Sequence, residues 1–299
     1  MIYFYLAQIN FLHIKLCLQK GDEILLENHI KTFSLFIRPD EQSEKIANSI
    51  RQQNAYSKHT LIETQNGDLI IAIGGDGTFL HAVTQTNFSK DKVYVGVHTG
   101  TLGFLQNLSE NDIYTLIKYL SYEQEISTRK VLIPSVRVSL SSGNTVNYKA
   151  FNEILVCGKD YTKIQFSEYV NDEFFQEVSG NGIIISSGTG DTAYSMNAGG
   201  AIDFSSHFQL ICTLLTPIKN AVYGDFISNP IICPKISVVP QASRNIQIII
   251  DGIPREISPE LIKSIEVSML NGESYINKLE ITTYSKVQVI REKILGYKR

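Results

Sequence analysis

The chain has 299 residues, 43% of them hydrophobic, and 27 Lys and Arg stand against 30 Asp and Glu for a formal net charge of -3. That apolar content suffices for one large domain or two modest ones with real cores. The near-neutral balance excludes a nucleic-acid binder steered by a basic surface. Cys17, Cys157, Cys212 and Cys233 form no Cys-x-x-Cys pair and no Cys/His cluster, which reads as buried, reduced thiols in a cytoplasmic protein. Met1–Leu16 is apolar and aromatic, but Gln8, Asn10, His13 and Lys15 interrupt it. With no basic region before it and no small-residue cleavage site after it, neither a signal peptide nor a membrane span is predicted. Residues 1–30 are read as an N-terminal extension, either an extra strand and helix or a segment outside the core fold.

Phe33–Ile37 predicts a short buried strand, and Asp40 then caps a helix to about Gln53 with Ile46 and Ile50 on one face. Leu69–Ile73 is wholly apolar, as in a strand inside a parallel sheet. It runs into Gly74-Gly75-Asp76-Gly77-Thr78, after which Phe79, Leu80 and Val83 continue as a helix. Val93–Val97 predicts a third such strand, followed by a glycine turn and a helix near Glu110–Leu120. This alternation predicts an open, Rossmann-like α/β domain over 31–123. From 124 to 278 a β-rich domain is expected: Val136, Val138 and Leu140 alternate with polar residues, as do Ile265, Val267 and Met269. Ile246–Ile250 adds a strand, and one helix is expected at Asp191–Ala198. Residues 279–299 are expected to return to the first domain as a C-terminal strand or tail, with one or two strands inside Ile281–Ile290.

Four segments carry chemistry. At Gly74–Thr78, glycines let the backbone approach a phosphate closely, and the following helix N-terminus offers free N–H donors. A carboxylate at Asp76 would repel a phosphate unless it orders Mg²⁺ or accepts a hydroxyl proton; otherwise it is a turn with an Asp cap. Asn152-Glu153 interrupts an apolar strand, which is costly unless satisfied. The Asn amide can pair with an adenine edge and the carboxylate can hold sugar hydroxyls, or the two simply end a strand at the surface. Ser186–Gly200 offers hydroxyls and N–H groups suited to a nucleotide, or is an ordinary strand–turn–helix. His98–Phe104 is a tight glycine turn, in which a lone His98 is more often satisfied by the turn than catalytic. No Gly-x-x-x-x-Gly-Lys-Ser/Thr and no Gly-x-Gly-x-x-Gly after a strand is present, which argues against a P-loop kinase and a Rossmann dehydrogenase.

In this order the four segments resemble the NAD kinase family: Gly74–Thr78, His98-Thr99-Gly100-x-Leu102-Gly103-Phe104, Asn152-Glu153, and Thr189–Tyr194 with Gly199-Gly200. Weaker similarity runs through Leu215–Ile218, Pro230–Pro234 and Asp251, but does not extend to the first thirty or so residues. The resemblance implies an α/β domain and a β-rich domain of the NAD kinase/diacylglycerol kinase-like fold. It implies an active site between them, completed by neighbouring subunits of a homodimer or homotetramer, with no nucleic-acid or membrane partner. It also implies phosphoryl transfer from ATP or polyphosphate to the 2′-hydroxyl of NAD, with Mg²⁺ held mainly through the donor's phosphates. Carried over by position, Asp76 is the catalytic carboxylate, and Gly74, Gly75, Gly77 and Thr78 face the donor's phosphates. NAD would meet Asp76, Gly77, Phe104, Asn152, Glu153, Ser179, Asn181, Thr189, Thr192, Ala193, Tyr194, Ser195, Asn197 and Lys219.

Several positions depart from the family pattern. Gly188 stands where Pro is usual, Asp191 where Ser or Thr is, and Asn181 where Asp is. Ser179 occupies a place often basic, and Lys219 one often small. Asp191 is expected to add negative charge beside the phosphate path, with Mg²⁺ or Lys219 to offset it. The rival readings are a lipid or other small-molecule kinase sharing the Gly74–Thr78 loop, and a non-catalytic dinucleotide sensor.

Overall fold

The computed structural model describes residues 23–100, 103–106, 108–122, 125–205, 209–222, 224–241, 245–258, 261–270, 274–281 and 285–297. The expectations for Met1–Leu16 and for Cys17 fall outside them. The chain forms two compact units, one running up to Val131 and resuming at Ile276–Arg299, the other Leu132–Tyr275. Among the described residues no helix is long and apolar enough to cross a membrane.

The first unit is built on one seven-stranded sheet. Its strands are β1 (Glu23–Glu27), β2 (Thr32–Ile37), β3 (Ile62–Glu63), β4 (Leu69–Gly74), β5 (Val93–His98), β6 (Glu125–Leu132) and, last in the chain, β19 (Tyr275–Leu279). The spatial order is β1-β6-β19-β5-β4-β2-β3. β2, β3, β4, β5 and β19 pair in parallel, and β1 pairs antiparallel with β6. β4 is buried along its whole length, which is why it reads as an unbroken apolar run. Helix α1 (Glu41–Ala55) starts at Asp40, whose carboxylate accepts from the Ser43 amide at 2.9 Å. It buries Ile46, Ala47 and Ile50. Helix α2 (Asp76–Gln85) buries Phe79, Ala82 and Val83, and α3 (Ile113–Tyr122) follows a short 3-10 turn at Glu110–Asp112. The faces of α1 and α3 join Ile71, Ile73, Val95 and Val97 in one core.

The second unit contains two six-stranded antiparallel sheets. One is ordered β11-β10-β15-β18-β7-β8, from β7 (Ser135–Leu140), β8 (Thr145–Lys149), β10 (Ile164–Val170), β11 (Glu173–Gly180), β15 (Lys235–Pro240) and β18 (Ile262–Ser268). The other is ordered β14-β13-β12-β9-β16-β17, from β9 (Glu153–Gly158), β12 (Gly182–Ser186), β13 (Leu210–Leu215), β14 (Ile231–Cys233), β16 (Ile246–Ile250) and β17 (Ile253–Arg255). Val136, Val138, Phe166, Val238 and Ile265 of the first share a core with Ile154, Val156, Ile183, Ile185 and Ile248 of the second. The unit is therefore a sandwich.

Three features differ from the sequence reading. β6 at 125–132 belongs to the first sheet, and β1 shows that the end of the expected extension joins that sheet too. The helix expected at Asp191–Ala198 shrinks to α4 (Tyr194–Asn197): Ser187 and Thr189 tie the preceding loop to residues 151 and 152, and Asp191 accepts from the Asp203 amide instead of opening a helix. The strands expected inside Ile281–Ile290 are replaced by helix α5 (Lys286–Lys293). There Val287 and Val289 mimic a period of two, but a reciprocal Ser285–Gln288 capping box starts a helix that buries Val289 and Ile290. Of the cysteines, Cys212 and Cys233 are buried with sulfurs 3.9 Å apart, and Cys157 is only half-buried.

Candidate active site

The first constellation grows out of the end of β4. Gly74 has φ +151°, and a Cβ there would lie 2.5 Å from Thr78 Oγ1 and 2.9 Å from Arg38 Cβ. Only glycine fits such a backbone in such a space. Gly75 then caps α2 without a side chain, so Asp76 opens the helix with Gly77 and Thr78 in its first turn. A Cβ on Gly77 would meet nothing within 4 Å, so backbone at this corner is open to a ligand.

The Asp76 carboxylate is held from three sides. Oδ1 accepts from the Leu105 amide at 2.9 Å, and Oδ2 accepts from the Phe104 amide at 3.2 Å and from Lys293 Nζ at 2.6 Å. The turn can approach this closely because residue 103 lacks a side chain: a Cβ on Gly103 would sit 2.5 Å from Asp76 Oδ1. Gln106 bonds the Gly75 carbonyl, tying the same turn to the glycine corner. Arg38, at the end of β2, donates to Thr99 Oγ1 at 2.9 Å and to Asp40. His98 sets its Nδ1 2.8 Å from the Gly100 carbonyl, the satisfied turn histidine expected of it. Behind the carboxylate, Lys278 on β19 is only 5% exposed. Burial pulls its ammonium down to about 8, against the nearby Glu280 and Asp76 charges that push it up.

The second constellation lies in the sandwich unit. Asp251, at φ +51° after β16, accepts from the amides of Phe151 at 2.7 Å, Asn152 at 2.7 Å and Glu153 at 3.3 Å. Three consecutive N–H groups thus close on one carboxylate and shape the corner from which β9 departs. Ser187 Oγ and Thr189 Oγ1 both donate to the Phe151 carbonyl, at 2.6 and 2.8 Å, and the Ser187 amide donates to the Asn152 carbonyl at 2.8 Å. A Cβ on Gly190 would collide with the Asn152 backbone. Thus Asn152-Glu153 and the 187–194 loop are brought together. Thr192 and Ala193 are half-exposed there, Tyr194 and Asn197 exposed, and Ser195 buried with its hydroxyl 3.4 Å from that of Thr213.

Glu153 is distinctive in this corner. Burial, followed by the Asp251 charge, pushes its carboxyl up to about 7, and its buried Oε2 has no hydrogen-bond partner. Because the folded value lies above the ordinary 4.5, ionising Glu153 opposes folding. That penalty is absent below the unfolded value, grows between the two values and is complete above about 7. Glu153→Gln is therefore expected to stabilise the ligand-free protein by about 1–2 kcal/mol at pH 8, discounted for partial exposure, and hardly at all at pH 5. Thermal unfolding at the two pH values checks this; an equal shift at both would show that the charge is not the cause.

Asp191 corrects an expectation. It is fully buried, and its Oδ2 accepts from the Asp203 amide at 2.7 Å. Its side chain ties the loop to residue 203 from within and is not exposed on an open phosphate path. Ser179, Asn181 and Lys219 fall elsewhere. In the sheet register Glu153 pairs with Ser186 while Gly182 pairs with Cys157, and the Asn181 carbonyl accepts from the Gly158 amide. Asn181 is thus at the far end of β9 from Glu153, roughly 15 Å along the strand at about 3.3 Å per residue. Ser179 is buried beside it, its carbonyl accepting from Ile218, and Lys219 pairs with Asp225 at 3.1 Å. The residue that the sequence did not disclose is Lys293. Only the last turn of α5, basic at Arg291 and Lys293, hints at it.

A carboxylate held at a glycine-lined strand-to-helix corner of a parallel sheet, in a chain whose other unit is an antiparallel sandwich, defines a two-domain small-molecule kinase. The chain matches the ATP-NAD kinase N-terminal domain over residues 14–126 and the ATP-NAD kinase C-terminal domain over residues 151–276. It is 28% identical over 264 residues to the NAD kinase of Finegoldia magna, covering 85% of this chain and 94% of that one. It is 32% identical over 188 residues to the NAD kinase of Lactobacillus acidophilus, covering 62% of this chain and 70% of that one. The crystal structure of yeast NADH kinase complexed with NADH shares the fold, with a TM-score of 0.73 at 18% identity over 90% of this chain and 88% of that chain. The chain belongs to the NAD kinase family. The family match reaches back to residue 14, so the similarity is not confined to the region beyond the first thirty residues.

Proposed function

We propose that this kinase transfers the γ-phosphoryl group of ATP, or the terminal group of polyphosphate, to the 2′-hydroxyl of the adenosine ribose of NAD, forming NADP. The observation that carries the reading is the Asp76 carboxylate, fixed by the Phe104 and Leu105 amides beside the Gly74–Thr78 corner. A carboxylate has about four lone-pair positions. Three are taken by Phe104, Leu105 and Lys293, and the one left on Oδ1 accepts the 2′-hydroxyl proton as that oxygen attacks phosphorus. The Gly75 and Gly77 amides at the N-terminus of α2 offset the charge developing on the donor, beside Gly74 and Thr78, whose own amide donates to the Gly75 carbonyl at 2.9 Å. Phe104 and Gly77 border the reacting hydroxyl.

Asn152 reads the adenine edge and Glu153 the sugar. A carboxyl poised near 7 both donates and accepts at neutral pH, which suits a ribose diol. Thr189 and Ser195 hold the loop in shape, while Thr192, Ala193, Tyr194 and Asn197 present its surface to the dinucleotide. Ser179, Asn181 and Lys219, at the far end of the strand, serve the dinucleotide bound by a neighbouring copy in a homodimer or homotetramer. Mg²⁺ enters on the donor's phosphates, because the Asp76 carboxylate already carries an ammonium and two amides. The free thiols of Cys157, Cys212 and Cys233 support a cytoplasmic setting for the reaction.

Incubation of the pure protein with Mg²⁺-ATP, or with Mg²⁺-polyphosphate, and NAD should yield NADP, identified by product analysis. Phosphorylation of diacylglycerol in place of NAD, or NAD binding with no NADP at high enzyme concentration, would overturn the reading.

A further inference from the structure

We propose that Lys293, on the C-terminal helix α5, is a positioning residue for phosphoryl transfer: its ammonium locks the Asp76 carboxylate in the orientation that leaves Oδ1 open to the acceptor hydroxyl. This rests on the reading of Asp76 given above. Lys293 is 217 residues from Asp76 in sequence, yet its Nζ donates to Asp76 Oδ2 at 2.6 Å. The same ammonium lies 4.7 Å from the centroid of the Phe104 ring. It therefore has two anchors, a carboxylate and an aromatic face, and the residue carrying that ring also donates its amide to Oδ2. Phe104 and Lys293 form one clamp on one oxygen, and the other oxygen keeps a lone pair.

The helix that delivers the lysine is itself fixed. Ser285 accepts from the Gln288 amide at 3.2 Å, and the Gln288 side chain accepts from the Ser285 amide at 2.9 Å. Val289 and Ile290, on the turn before Lys293, are buried. The other cations near this corner are committed elsewhere: Arg38 holds Asp40 and Thr99, and Lys278 is buried beside Glu280 and Arg129. Among the described residues, Lys293 is the ammonium in direct contact with the carboxylate. Both side chains remain partly exposed, at 32% and 27%. An exposed pair of this kind contributes little to stability, so its removal should be read in turnover and not in folding.

The test compares Lys293→Met, Lys293→Arg and Asp76→Asn, with kcat and KM for NAD and for ATP alongside thermal unfolding. Lys293→Met should lower kcat by about 10²-fold, the cost of a misplaced catalytic group. Both KM values should stay within about threefold and Tm within about 3 °C. Lys293→Arg, which keeps the charge, should recover most of the loss. Wild-type kcat in Lys293→Met would overturn the proposal, and so would a rise confined to the KM for ATP, which would make Lys293 a phosphate ligand. If Lys293→Met does not fold, Lys293→Gln, which removes the charge but keeps a polar side chain, decides through the same kcat and KM split, and wild-type kcat there would overturn the proposal. Should Asp76→Asn keep near-normal turnover, the fault lies in the role given to Asp76, and the lysine falls with it.

Discussion

Asp76→Asn should abolish NADP formation while NAD still binds. The substitution keeps the shape of the side chain but removes the charge and one acceptor oxygen. The amides of Phe104 and Leu105 and the Lys293 ammonium would then compete for what is left. A proton acceptor is worth on the order of 10²–10⁴ in rate, so a fall of at least about 10³-fold is expected once the loss of aim is included. Calorimetric titration with NAD, alongside a sensitive NADP assay, separates binding from chemistry. Near-normal turnover would remove Asp76 from the reaction.

Asp251→Ala should be the most damaging change in the sandwich unit. The carboxylate is the acceptor for three successive amides at 151–153. Each buried N–H left without a partner costs about 1–3 kcal/mol, and alanine is also disfavoured at φ +51° by about 1–2 kcal/mol. After relaxation and water entry, a net loss of about 3–4 kcal/mol is expected, a fall in Tm of roughly 10 °C. NAD affinity should drop with it, because the three amides that shape the Asn152-Glu153 corner converge on this carboxylate. Asp251→Gly, free of the backbone strain, should recover only the smaller part. A melting temperature within about 2 °C of wild type would show that the amides find other partners, contrary to the cost expected of them.

What could be read from sequence, and what could not, follows from the range of the interactions. β4, β5 and α1 were legible because their signals are local: a continuous apolar run, or an Asp before an apolar period of 3.6. The Gly74–Thr78 corner was legible for the same reason, since its glycines and carboxylate are consecutive. The Asn152-Glu153 pair was legible as an unexplained polar break, but the carboxylate that shapes it lies about a hundred residues on, at Asp251. Asp191 was misjudged because its sequence neighbours are loop residues, whereas its partner is the amide of Asp203. Lys293 was invisible for the most elementary reason. A lysine in the last turn of a helix is ordinary, and nothing near it in the chain reveals the carboxylate it meets. Val287 and Val289 match the strand period of two, and over so short a span only the Ser285–Gln288 capping box marks the segment as helix.

The order of strands in the first sheet has a consequence for how the protein comes into being. β19, made after the whole sandwich, lies between β6 and β5. A nascent chain that has left the ribosome through residue 131 therefore holds a sheet split at its centre, with β5 and β6 presenting open backbone edges until the whole sandwich has been translated. Such edges invite pairing with other chains, and a large protein emerging N-terminus first is exposed to that hazard for as long as synthesis takes. The first unit closes only when residues 275–297 arrive, and the same segment carries Lys293 to Asp76. A fragment ending before residue 275 would lack both the middle of the sheet and the lysine, so proteolytic or premature truncation would yield an inert protein, not an unregulated enzyme.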